Sequence, residues 1–323
     1  MRKPSLLLIS NTPLLLFLLI IGVFGMQSEQ FLSLQNLRNV FLQTSSTGIL
    51  AIGMTFVLLT AGVDLSVGAI MFVAAAIGGK YIFEGGSLWV GLLIMLSSGM
   101  VYGAINAAFI ARLGMMPFVV TLATMYMGRG AGLWLTETRA MNLPEGIYQL
   151  GTFSVLGIPL PVLCFVLLAL AGHLILQHTP YGRQIYAVGG QAEVALKAGL
   201  PVKRLLFSVY LIAGFCAAIA AIVALTQSPA ISPGFGKDRE FAAIAAAVLG
   251  GTSLFGGKGN ILPGTVLGAV LIQTVENGLN ILNVDPYLYP LVMSGIIFIA
   301  VVVDTTQQRI VLRMSRRQIL PMN

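Results

Sequence analysis

Charge is what this sequence has least of. Only 9% of its 323 residues are Asp, Glu, Lys or Arg, while 57% are hydrophobic. A soluble domain carries about 25% charged residues. No aqueous fold hides this much apolar surface, so a bilayer is the solvent for most of the chain. Cysteine is nearly absent too. Cys164 and Cys216 both lie inside apolar runs, which leaves no disulfide framework and no Cys-x-x-Cys metal pattern. The two histidines, His173 and His178, have no further metal ligands near them in sequence. Serines and acids form no nucleophile–base set. Neither an enzyme nor a bound cofactor or metal is expected. The scattered basic residues do not suggest nucleic-acid binding.

Continuous apolar runs and glycine are what the chain has instead. The runs are about 20 residues long and do not alternate, which excludes a transmembrane β-barrel. The 37 glycines are about 11% of the chain, against about 7% on average. Small residues let helix backbones approach closely in lipid, so a tight bundle is expected. Ten windows qualify as spans, roughly 6–26, 41–61, 66–83, 88–111, 117–136, 158–177, 205–226, 240–254, 261–282 and 287–303. The first follows Arg2 and Lys3, as a signal peptide would, but no small-x-small cleavage site closes it, so it reads as an uncleaved span. The window at 240–254 is short and flanked by glycine.

Loop charge sets the orientation. With the N-terminus in the cytoplasm, the inner side carries Arg2, Lys3, Arg112, Arg183, Lys197, Lys203, Arg204, Lys258, Arg309, Arg313, Arg316 and Arg317; the outer side carries Arg38, Lys80, Arg139, Lys237 and Arg239. Both termini are then cytoplasmic. The expected fold is all-α: a polytopic membrane protein of about ten transmembrane helices. Ten spans divide as five plus five, and an odd number per half makes the halves an inverted repeat. Nothing marks a second domain, so residues 1–323 read as one transmembrane domain.

Three stretches interrupt the apolar pattern. At Gly62-Val63-Asp64-Leu65-Ser66-Val67-Gly68, one helix ends and another begins; Asp64 is placed to cap the second, or to touch a partner or gate on the cytoplasmic side. Between Leu249 and Asn260, the glycines Gly250, Gly251, Gly256 and Gly257 with Lys258 invite comparison with a phosphate loop. Thr252 stands where the first glycine of that motif belongs, Gly259 follows the lysine, and no strand precedes it. A flexible cytoplasmic turn fits better. Gln227 to Arg239, with Pro229, Pro233, Gly234 and Gly236, reads as an external loop.

Polar residues also fall within the spans: Asn106, Thr121, Thr124, Arg129, Gln273, Glu276, Asn277 and Asn280. An ionisable side chain at mid-membrane costs at least roughly 2.5–3.5 kcal/mol, so it takes a partner or lines water. Arg129 and Glu276 lie at similar depth and are expected to pair or to share one network. Glu276 and Asn280 share a helix face. Such neutral and charged polar groups suit hydroxyl-rich cargo, or they bond helix to helix.

The polar loop at about 178–205 separates the two halves. Within it, Gln191 to Ala198 forms about two helical turns, Gly199 is the stop, and Pro201 prevents continuation. Glu193 and Lys197 are spaced as an i,i+4 pair. A short exposed helix of this kind is a docking knob.

These residues carry a resemblance. Glu193-Val194-Ala195-Leu196-Lys197-Ala198-Gly199 is similar to the coupling motif of bacterial ABC importer permeases, Glu-Ala-Ala followed three residues later by Gly, with Val194 departing from it. Gly53-Met54-Thr55, Gly62 to Gly68, Arg183 with Ala187-Val188-Gly189-Gly190, and Gly250-Gly251-Thr252-Ser253-Leu254 with Gly256-Gly257-Lys258-Gly259 resemble the ribose-type monosaccharide branch. The resemblance covers roughly residues 30–304. It implies a permease of the bacterial inner membrane that moves a ribose-like pentose, a hexose or a related sugar. It also implies an ABC ATP-binding subunit, a periplasmic sugar-binding protein and a second permease copy, identical or paralogous, all assembled around a lipid-embedded core. By the same resemblance, Gln191, Glu193, Ala195, Lys197 and Gly199 would dock into the ATPase. The inward placement of Gly62, Asp64, Ser66 and Gly68, and of Gly250 through Lys258, puts both turns beside that contact. Two rivals remain open in sequence: an ion-gradient transporter using Arg129 and Glu276, and a non-transporting scaffold or receptor.

Overall fold

The computed structural model describes residues 12–296, 298, 299 and 302, with side chains from residue 17 onward. The basic tail from Arg309 and the N-terminal Arg2 and Lys3, used above to orient the chain, lie outside the described residues.

The helices in chain order are α1 (Thr12–Gln27), α2 (Leu34–Leu59), α3 (Val67–Phe83), α4 (Leu88–Ala107, continued as a π-turn over Ala108–Arg112) and α5 (Pro117–Leu135). After these come α6 (Glu145–Thr152), α7 (Leu160–His178), α8 (Pro180–Gly190), α9 (Ala192–Lys197), α10 (Val202–Gln227), α11 (Arg239–Leu249) and α12 (Val266–Ile281). Residues 289–296 form α13. Four of these are long and apolar enough to cross a membrane: Leu34–Leu59, Leu88–Arg112, Leu160–His178 and Val202–Gln227.

Local chemistry explains the boundaries. Ser33 starts α2 by accepting the Asn36 amide on its hydroxyl at 3.2 Å. Pro117 opens α5 at the position where a missing N–H costs nothing. Thr179 caps α8 through its hydroxyl, with Pro180 behind it. Two short antiparallel pairings complete the frame. β1 (Met141–Asn142) pairs with β4 (Ala230–Ile231), tying the segment after α5 to the segment after α10. β2 (Ser154–Val155) pairs with β3 (Ile158–Pro159). Sequence periodicity gave no hint of α6 or of these two-residue strands, which are too short to carry a period.

The two 26-residue helices α2 and α10 form the central post. Within their apolar stretches, 83% of α2 and 56% of α10 is buried, against 22% of α4 and 28% of α7. The glycine content is used there. Gly103 of α4 and Gly214 of α10 meet backbone to backbone; a Cβ on Gly214 would lie 2.9 Å from the Gly103 Cα. The outer helices present Trp89, Leu93, Tyr126, Met127, Leu167 and Leu174 outward, as lipid contact requires.

Helix α2 also serves as a ruler, about 39 Å long at ~1.5 Å per residue. Gln227, ending α10, donates its side-chain amide to the Leu42 carbonyl at 2.9 Å. Arg239, starting α11, reaches the Thr47 hydroxyl at 3.4 Å. Gly257 donates its amide to the Leu59 carbonyl at 3.0 Å, at the far end. The segment 228–238 therefore turns back into the body of the protein instead of forming a simple surface loop, and Arg239 is not an outer-surface charge.

The turn between α2 and α3 behaves the same way from the other side. It leaves the Leu59 end and runs inward, with Asp64 and Ser66 fully buried. A Cβ on Gly68 would collide with Glu240 Oε2 and the Gly236 carbonyl. So the N-termini of α3 and α11 meet inside the protein. From there α3 runs toward the β4 end, where Gly79 packs on Ile231, and α11 runs toward the opposite end, where Gly250 packs on Gly264. This corrects the expectation that residues 62–68 and 227–239 lie on opposite surfaces.

Candidate functional site

Three regions carry the polar chemistry. The first is a cavity of about 560 Å³ among α2, α10, the segment 228–238 and α12, within the roughly 300–1,000 Å³ of small-molecule sites. Its wall carries Gln43, Thr47, Arg239, Gln273, Glu276 and Asn280. Gln273 donates to the Gln43 carbonyl oxygen at 3.1 Å, and Thr47 donates to Gln273 at 3.4 Å. Arg239 pairs with Glu276 at 3.3 Å, both side chains partly open to solvent. Asn277 also lines the cavity, its side chain held in a reciprocal amide pair with Asn36, each donating to the other at 2.9 Å. Asn280 is exposed. The wall offers both donors and acceptors, with Met71, Phe235 and Tyr289 as its apolar part.

Of these residues, Gln273, Glu276, Asn277 and Asn280 were singled out in the sequence; Gln43, Thr47 and Arg239 were not among the polar residues of the spans. The polar run Gln43-Thr44-Ser45-Ser46-Thr47, at the head of an otherwise apolar window, was the available signal. It is only partly diagnostic, because Thr44 and Ser45 bond back to their own helix at Val40 and Phe41.

The second region is the junction of the α3 and α11 N-termini. Arg129 donates to the carbonyls of Phe235 and Gly236 at 2.7 and 2.5 Å. It therefore clasps the inward-turning segment and does not pair with Glu276, whose partner is Arg239. Direct pairing of Arg129 with Glu276, one of the two arrangements expected from sequence, is replaced by two separate contacts. A carbonyl clasp is invisible to charge matching, because one partner is backbone.

Asp64 also departs from expectation. Its Oδ1 accepts from the amide and hydroxyl of Ser66, at 2.9 and 2.6 Å, and it caps no amide of the first turn of α3. Asn106 reaches the same turn, donating to the Ser66 hydroxyl oxygen at 2.7 Å. Thr121 hangs on its own helix at the Pro117 carbonyl, 2.9 Å, with a longer bond to Val63. Asn106 and Thr121 thus belong to this buried junction and not to the cavity wall. Gly62, Asp64, Ser66 and Gly68 are all buried, so none of them is open to a partner.

The third region is the protein face at the Leu59 end of α2. Helix α9 stands out from it, with Gln191, Glu193, Val194, Leu196, Lys197 and Gly199 exposed and Ala195 turned in. Ala195 packs in a small cluster with Val188 and Leu205, against which Leu200 rests. The stop is a complete Schellman turn: the Leu200 amide bonds the Ala195 carbonyl at 3.1 Å, the Gly199 amide bonds Leu196 at 2.9 Å, and Gly199 sits at φ +84°. Glu193 and Lys197 are not among the ion pairs of the described residues, so the cap and the Ala195 anchor hold α9.

The glycine turn 250–259 lies on the same face. Gly256 and Gly257 press against Gly189, Gly190 and Ala61, and a Cβ on Gly256 would meet the Gly189 carbonyl oxygen at 2.6 Å. Tyr186 donates to the Gly259 carbonyl at 2.8 Å and accepts from Gln177 at 3.0 Å. Burial raises the Tyr186 phenol above its ordinary range, which keeps it a donor. Gly251, Phe255 and Lys258 are exposed, while Gly250 is buried against Gly264.

Residues 36–302 match the family described as branched-chain amino acid transport system / permease component. The chain is 39% identical over 293 residues to the ribose import permease protein of Bacillus subtilis (strain 168), covering 90% of each chain. It is 35% identical over 306 residues to the ribose import permease protein of Escherichia coli (strain K12), covering 93% of this chain and 95% of that one. It is 37% identical over 290 residues to the D-allose transport system permease protein of the same strain, covering 88% of each. No solved structure matches the chain.

Proposed function

The chain belongs to the permease-component family that it matches over residues 36–302, and from that premise we propose that it is the membrane subunit of an ATP-driven monosaccharide importer in a bacterial inner membrane. The relatives' names span a pentose and a hexose, so the cargo class is a monosaccharide. The chain is a transport component. ATP hydrolysis belongs to a partner ATPase, and sugar arrives from a periplasmic binding protein. Two permease copies complete the membrane part.

The observation that carries this reading is the division of labour along α2. A polar cavity opens beside Thr47, and a capped, exposed helix α9 stands at the Leu59 end. Exposed α9, with Gly199 as its stop, is the coupling helix, and Phe255 and Lys258 extend the cytoplasmic docking surface. The pathway wall is Gln43, Thr47, Arg239, Gln273, Glu276 and Asn280.

The finer fold reading is one permease domain of ten spans with cytoplasmic termini and an inverted 5+5 repeat. Its support is the correspondence of α2 with α10, each 26 residues long. Each is followed by an inward-turning segment and a shorter helix, and these shorter helices, α3 and α11, start at a shared internal junction and run in opposite directions. Opposed half-helices meeting at depth are what an inverted repeat produces. The gradient-driven rival loses its motive, since Arg129 and Glu276 do not pair.

The test is reconstitution with the cognate ATPase and binding protein. Glu193→Lys is expected to abolish sugar-stimulated ATP hydrolysis while the permease still inserts and stays folded; unaltered coupling would count against α9 as the contact.

A further inference from the structure

Near the meeting point of α3 and α11 lies a group of oxygens that the transport reading leaves unused. Asp64 Oδ2, Asn106 Oδ1 and the Tyr210 hydroxyl are all buried and without a hydrogen-bond partner, and all three residues are fully buried. Orphaned buried polar atoms are rare and demand an explanation.

The hydrogens can be counted. Ser66 has one hydroxyl hydrogen, and it goes to Asp64 Oδ1. Toward Asn106 the Ser66 oxygen is therefore only an acceptor. This fixes the Asn106 amide with Nδ2 on Ser66 and Oδ1 turned away. The inner arms of a carboxyl and a carboxamide thus converge on one hydroxyl, and their outer arms, Asp64 Oδ2 and Asn106 Oδ1, are both acceptors. The Tyr210 hydroxyl bonds neither of them, so a hydrogen on one of the two outer arms is what would join them.

We propose that Asp64 is a neutral carboxylic acid whose Oδ2–H closes a buried hydrogen-bond ring with Ser66 and Asn106, so that a bound proton positions the start of α3 on α4. The titratable or charged groups around it are Tyr102 on α4, Tyr210 on α10, Glu240 on α11 and Arg129 on α5. Arg129 spends its donors on the Phe235 and Gly236 carbonyls. It makes no hydrogen bond to Asp64, so the carboxyl has no cationic partner of its own, and a buried carboxyl without one is cheaper to keep neutral. Asp64 is a positioning residue: it touches no cargo and acts through the entry to α3. The ring persists while the proton is held and opens as rising pH removes it.

Infrared spectroscopy of the full chain in liposomes tests this without reference to transport. The expected result is a protonated-carboxyl C=O band that Asp64→Asn removes and that rising pH abolishes. If Asp64→Asn does not yield folded protein, Glu240→Gln combined with Glu276→Gln assigns the band, because the other acids of the described residues are exposed and a band that survives both changes belongs to Asp64. A wild-type spectrum with no protonated carboxyl, or a band lost only with Glu240→Gln and Glu276→Gln, overturns the proposal.

A second arm rests on the importer reading. Asn at 64 can donate where the acid does, so Asp64→Asn keeps sugar uptake within about twofold, while Asp64→Ala, which leaves Asn106 and Ser66 unmatched, lowers it about tenfold. Equal loss in both variants means that the negative charge is required, and contradicts a neutral acid. Because the band is read in the permease alone, its presence with no ATP-driven uptake in any variant would fault the importer reading and leave the proton in place.

Discussion

Gly68 shows how much one missing side chain decides. The α3 N-terminus approaches Glu240 and the Gly236 carbonyl so closely that any Cβ collides with backbone. Gly68→Ala is expected to destabilise the folded permease by about 1–3 kcal/mol, the usual cost of forcing extra volume into a packed site. A lowered unfolding midpoint in detergent would register it, and an unchanged midpoint would mean that the junction yields. Arg129 is the neighbouring case. Its two carbonyl bonds use the guanidinium fork, which Lys cannot reproduce. Arg129→Lys should therefore lose most of what Arg129→Ala loses. Combining Arg129→Glu with Glu276→Arg should rescue nothing. Arg239→Glu combined with Glu276→Arg should recover part of either single loss, measured as uptake and as folded yield. Sequence offered Arg129 and Glu276 as a pair or as members of one network; direct pairing fails, because spacing along two helices says nothing about which faces meet.

Among the elements, α9 was the most legible. Its stop at Gly199, its length and its exposure follow from local rules alone. Gly199 at φ +84° makes Gly199→Ala costly by roughly 1–2 kcal/mol, the penalty for a Cβ in the left-handed region. The cost falls on the last turn of a six-residue helix, so a loss of ATPase co-purification is expected with little change in membrane insertion. The junction of α3 and α11 was least legible. Gly62–Gly68 and Gln227–Arg239 carry the glycines, prolines and charges of ordinary surface turns, and only tertiary contacts reveal that both fold back inward. The short window at 240–254 was the one clue, since an 11-residue helix spans about half of a ~30 Å hydrocarbon core. Helix α6 and the two-residue strands left no periodic trace.

For the whole molecule, class was written in composition, while partner contacts were written in neither hydropathy nor charge. Apolar content is a sum over many residues and survives local errors. The cavity wall is a juxtaposition of α2, α11 and α12 that no single stretch encodes. Gln43→Leu and Thr47→Val are expected to slow sugar uptake severalfold at unchanged ATPase assembly, because they remove donors and acceptors from the wall and touch nothing on the α9 face. If assembly fails instead, the two regions are not separable.

The most direct measurement is uptake of labelled ribose or allose into liposomes containing this chain with its ATPase and binding protein. Accumulation should require hydrolysable ATP, persist when ionophores collapse every ion gradient, and vanish with Glu193→Lys. Gradient-driven uptake by the chain alone, without ATP or ATPase, would contradict the importer reading outright.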